Sequence, residues 1–70
     1  MYEYQVTAKG YTDKVDRRFV IQTAKEPQIG STFVGPDEIV WIVGDIDAEL
    51  LWCTPWFFQR TRPLEVEFVE

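Results

Sequence analysis

The side chains with the most chemical potential in this sequence are three carboxylates at alternate positions, Asp45, Asp47 and Glu49. Alternate residues of an extended chain share a face, so these three are expected to present their oxygens together on a strand or turn. Oxygens grouped in this way suit a hard cation, but the glycine and the distal bidentate glutamate of a calcium loop are missing here. No metal is therefore assigned. The expected role is a solvated hairpin tip whose like charges keep the edge from pairing, or a patch that docks a basic surface on a partner protein. Asp37 and Glu38 extend that patch if their own turn lies close to it.

A second group is aromatic. Trp52, Trp56, Phe57 and Phe58 fall within seven residues, and Arg60 and Arg62 follow them. Neighbours along an extended chain point to opposite faces, so four large rings in so short a stretch cannot all enter a small core. Trp and Arg are among the residue types that dominate protein interfaces, which makes Trp56, Phe58, Arg60 and Arg62 candidates for partner binding. The alternative assigns Trp52 and Phe57 to the core and leaves Trp56 and Phe58 to cap the end of the domain.

Other chemistries are poorly provided for. The chain has no histidine, the commonest general base and metal ligand, and no glycine-rich phosphate loop or nucleophile elbow can be written from it. No enzymatic activity and no cofactor are expected. The one cysteine, Cys53, cannot form an internal disulfide, and with no cation beside it in sequence it reads as a small buried apolar residue. There is no basic, apolar leader at the N-terminus, and the longest apolar run, Ile39 to Val43, is far short of a membrane span. These features lead to the expectation of a soluble cytoplasmic protein.

Charge is unevenly distributed over the 70 residues, whose net charge is −5. Residues 1–25 hold five cations against three acids, whereas residues 26–57 hold six acids and no cation. Nucleic-acid affinity rests on neutralising phosphates, so an acidic body argues against it. Stacking of single-stranded bases on the aromatic cluster beside Arg60 and Arg62 stays as an alternative. A basic protein partner fits the charge better.

The elements that must position these groups are short strands. Tyr2, Tyr4, Val6 and Ala8 alternate with Glu3, Gln5, Thr7 and Lys9, the period-two pattern of a half-buried strand. Gly10 to Lys14 reads as a hairpin loop, with a return strand over residues 15–24 in which Phe19 and Ile21 share one face. Pro27 and Gly30 break the next stretch; an edge strand at Thr32 to Val34 follows, and Gly35-Pro36-Asp37 breaks again. The unbroken run IVWIV from Ile39 to Val43 implies cover on both faces. Gly44-Asp45 is expected as a two-residue hairpin turn, with the return strand at residues 46–53 and a break at Thr54-Pro55. The last strand alternates Leu64, Val66 and Phe68 inward with Glu65 and Glu67 outward.

Five or six strands separated by turns at roughly ten-residue spacing point to one all-β domain over residues 1–70, a small antiparallel SH3-like barrel. The alternative is an α+β arrangement with a short helix within residues 46–58. The expected function is that of a non-enzymatic interaction module that binds a partner protein, inhibition of that partner being one form the binding could take. Small acidic domains of this kind are common among phage and mobile-element proteins that block host machinery. A structural homo-oligomer subunit, using the same exposed rings, is the remaining alternative.

Overall fold

The computed structural model describes residues 1–10, 16–36, 38–57 and 62–69. Among these residues six strands form one sheet: β1 (Tyr2–Lys9), β2 (Asp16–Thr23), β3 (Thr32–Val34), β4 (Val40–Asp47), β5 (Leu50–Pro55) and β6 (Val66–Val69). Their order in the sheet is β3-β4-β5-β1-β2-β6. Pairings are antiparallel except for β1 with β5, which run parallel, Gln5 opposite Leu50 through Ala8 opposite Cys53. The β3 edge of the sheet is joined to the segment leading into β6 by a bridge, Phe33 with Leu64, where the Leu64 N–H donates to the Thr32 carbonyl at 2.7 Å. The result is the expected small all-β barrel, nearly closed.

The alternation in β1 and β2 decides what lies inside. Val6 and Ala8 are buried with Tyr4 packed beside them, and across the strand pair Ile21 is buried with Phe19 half-buried. Phe33, Trp41, Val43, Leu51 and Cys53 complete the core from the other half of the barrel. Rings seal the junction: Phe19 meets Phe33 edge-on with centroids 6.1 Å apart, and Phe68 at 5.8 Å, arrangements that suit the ring quadrupoles. Half-buried Arg17, on the inward face of β2, lies over the fully buried Trp41 ring at 5.8 Å. This stacking keeps the guanidinium beside the negative ring face while covering the core.

Two expectations need correction. Gly44-Asp45 is not a turn, because β4 continues through it to Asp47 with a β-bulge between Val43 and Asp45. Val43 stands opposite Cys53 and Asp45 opposite Trp52, so Gly44 is the extra residue. A bulge shifts side-chain parity by one. Odd-numbered Trp41 and Val43 therefore face inward, but beyond the bulge it is even-numbered Ile46 that packs on the core. The real turn is Ala48-Glu49, where Ala48 takes a positive φ of 51°.

The second correction concerns Thr54-Pro55. It does not end the hairpin: β5 runs through Pro55, opposite Trp41, and the Trp56 N–H donates to the Val40 carbonyl at 2.9 Å. The helix considered for residues 46–58 is absent among the described residues, which are strand through this stretch apart from the Ala48-Glu49 turn and residues 56–57. The expected irregular stretch before β3 is present. It turns at Gln28 to Ser31, with Gly30 at φ 92° and the Ser31 N–H donating to the Gln28 carbonyl at 2.9 Å.

Candidate partner-binding face

Because Leu51, Cys53 and Pro55 are buried, Trp52 and Thr54 must face outward, as does Trp56 one step beyond β5. Residues paired across antiparallel strands share a side of the sheet, so the register extends this outer surface strand by strand. Val34 pairs Val40, whose other neighbour is Trp56; Thr32 pairs Ile42, which pairs Thr54; Trp52 pairs Asp45. Trp52 is 48% exposed, Trp56 38% and Val34 42%, with Val40 and Ile42 half-buried between them. The two indoles are four residues apart, roughly 13 Å along the strand. Together these residues make an apolar strip across three strands.

Carboxylates flank the strip. Asp45 and Asp47 are exposed and, by the bulge-shifted parity, lie on the same side as Trp52 and Leu50. The Asp45 Oδ1 accepts the Ile46 N–H at 2.9 Å, which fixes that carboxylate against the strand. Glu49 is exposed in the turn. β3, β4 and β5 all fall within the stretch that contains no lysine or arginine. Among the described residues, Lys9 on β1 and Arg18 on β2 border the face from one side.

The acidic residues of the sequence reading do not form one patch. Glu38, at φ 65°, sits in the β3–β4 loop, where its N–H donates to the Gly35 carbonyl at 3.0 Å. That loop lies at the opposite end of β4 from the Ala48-Glu49 turn, roughly 23 Å away at strand rise. Glu38 therefore marks the Trp56 end of the strip, and Asp45, Asp47 and Glu49 mark the Trp52 end. Asp37 lies outside the described residues, as do Phe58 and Arg60. Among the described residues no three acidic or thiol groups converge in a way that would hold a metal ion.

The assignment of rings also differs from the alternative in which Trp52 and Phe57 are core. Trp52 is half exposed and Phe57 79% exposed, while the fully buried indole is Trp41. Trp52 was missed as a surface residue because both parities of residues 50–55 are apolar or small, so alternation carries no sign there. Arg62 does not join the strip. It lines a hollow of about 240 Å³ with Thr23, Lys25 and Leu64, and Leu64 bridges β3 on the edge turned away from β4.

Cys53 is free and buried, and burial pushes its thiol up to about 12. Such a thiol is protonated and a poor nucleophile at neutral pH. Among the described residues no helix is long and apolar enough to cross a membrane.

The fold and this face together define a small all-β barrel with an aromatic strip bounded by acids. Comparison with family models, with curated proteins and with solved structures finds no match for the chain.

Proposed function

We propose that this protein is a non-enzymatic interaction module that docks a basic surface of a partner protein on the outer face of β3, β4 and β5, and that it inhibits that partner by occlusion. The observation that supports this reading most is the placement of two indoles, Trp52 and Trp56, on one outer face of three strands that carry no cation. Exposed tryptophan is favoured at interfaces because it offers large contact area with few torsions to freeze. Acids at both ends of the strip would speed the approach of a basic partner and exclude acidic ones. The same charges oppose self-association through this face, because an isologous contact brings like carboxylates together. A cytoplasmic place of action accords with Cys53 being free and buried.

The test is affinity capture followed by titration with the identified partner. The double variant Trp52→Ala/Trp56→Ala should keep the fold and weaken binding by about 2 kcal/mol or more. Raising salt should slow association, as exposed charge pairs are screened beyond a Debye length of about 8 Å at physiological ionic strength. Unchanged affinity in the folded double variant would reject this face as the docking surface.

A further inference from the structure

Resting on that reading, we propose that Trp52 and Asp45 form a clasp for a single guanidinium or alkylammonium side chain of the partner. The two residues are direct cross-strand neighbours on the outer face, and such pairs have Cβ atoms about 5 Å apart. Trp52 is 48% exposed, so an approaching side chain can reach the indole. An indole face attracts a cation through its quadrupole, and a carboxylate beside it supplies the charge-assisted hydrogen bond. Either group alone is a common surface feature; side by side they address both the flat apolar side and the charged rim of a guanidinium.

The site is also pre-set. The Gly44 bulge brings Asp45 rather than its neighbour opposite Trp52, and the Ile46 N–H holds the Asp45 Oδ1 at 2.9 Å. One carboxylate oxygen is thus anchored, and the group's orientation relative to the indole is fixed before a ligand arrives. Asp47, two residues on along the same face, adds negative potential. Among the described residues, the cation in register with this row lies on its far side: Thr7 is the next neighbour of Trp52, and Arg18 lies beyond Thr7. A basic side chain therefore enters from the β4 side, over Asp45.

The experiment is a nuclear magnetic resonance titration of the intact protein with Nα-acetyl-arginine amide, using Nα-acetyl-citrulline amide as the uncharged control. The Trp52 indole Nε1–H and the amides of Leu50 and Thr54 should shift saturably with the arginine compound and far less with citrulline. Asp45→Asn keeps an oxygen that can accept the Ile46 N–H, so the fold is preserved while the charge is removed. That variant should bind arginine amide about threefold more weakly, the scale of one exposed charge pair. Trp52→Ala should remove the saturable shifts at Leu50 and Thr54.

Equal responses to arginine and citrulline, or an Asp45→Asn affinity equal to that of the parent, would overturn the clasp. Docking on the strip is judged separately. If the captured partner is lost by Trp52→Ala/Trp56→Ala while arginine amide fails to bind, the clasp is wrong and the docking face stands. If arginine amide binds and the captured partner ignores both tryptophans, the reverse holds.

Discussion

The division of the tryptophans between core and surface can be tested by comparing Trp41→Ala with Trp52→Ala. A tryptophan side chain presents on the order of 250 Å². Trp41 is fully buried, so its truncation removes the whole transfer contribution and opens a cavity beneath Arg17. Such changes cost about 3–5 kcal/mol. Trp52 keeps 48% of its surface in water. It therefore covers about half as much area, worth about 3 kcal/mol at 25 cal/mol/Å² as an upper figure, because the unfolded chain already shields part of it.

Retained contacts of the alanine reduce this further, and we expect Trp52→Ala to cost about 1–2 kcal/mol. A domain of this length has roughly 4–10 kcal/mol to lose. Trp41→Ala should thus remove about a third or more of that margin, and reach the edge of unfolding where the margin is about 4–5 kcal/mol, while Trp52→Ala stays more than about 90% folded. Urea denaturation followed by circular dichroism measures both. Equal losses for the two variants, or a larger loss for Trp52→Ala, would refute the assignment of Trp52 to the docking face.

Three further outcomes follow from local features. Ala48 holds a left-handed φ of 51°, which strains a residue with a Cβ; Ala48→Gly should raise stability by about 0.5–1 kcal/mol in the same urea assay. The Thr32 hydroxyl is buried with no hydrogen-bond partner among the described residues, so Thr32→Val should be neutral or stabilising by up to about 1 kcal/mol despite the loss of a polar group. The Cys53 thiol stays protonated in the fold up to about 12, against 9.0 for an ordinary thiol. The unfolded state thus releases its proton first, and stability contributed by Cys53 should be intact below pH 9 and fall as pH rises towards 12. The difference between thermal melts of the parent and Cys53→Ala should be constant below pH 9 and change only above it, where the parent alone loses stability as the thiol titrates.

Where the sequence was legible, one face of a strand was apolar and the other was not. β1 shows this clearly: Val6 and Ala8 go in, Glu3 and Gln5 stay out, and a one-residue slip would have exposed the first pair. β3 and the inward Phe33 were likewise bracketed by Pro27 and Gly30 on one side and Gly35-Pro36 on the other. The candidate face was legible only in part. Trp56, Asp45, Asp47 and Glu49 are at the surface as expected, but Trp52 and its neighbours Val34, Val40 and Ile42 were not identified as one strip. Strand order could not be derived from local pattern, and the parallel β1–β5 pair in particular joins residues about 45 apart in sequence.

The hairpin of β4 and β5 shows why the remainder was hidden, and why it matters for function. Glycine followed by aspartate after an apolar run is a turn signal, but the same pair also fits a bulge, and here Gly44 has no left-handed φ and a Cβ would meet only the Trp52 carbonyl at an ordinary 3.6 Å. The difference lies in what comes after. With a turn at residues 44–45, the inward parity set by Trp41 and Val43 would end there, and Ile46 would begin a new strand. With a bulge, the core shifts from odd to even residues within one strand, and Ile46 is the first apolar side chain to register it. That same shift places Asp45 and Asp47 outside and brings Asp45 opposite Trp52. Inserting a second residue beside Gly44 should therefore displace Asp45 from Trp52 and weaken arginine-amide binding at least as much as Asp45→Asn does.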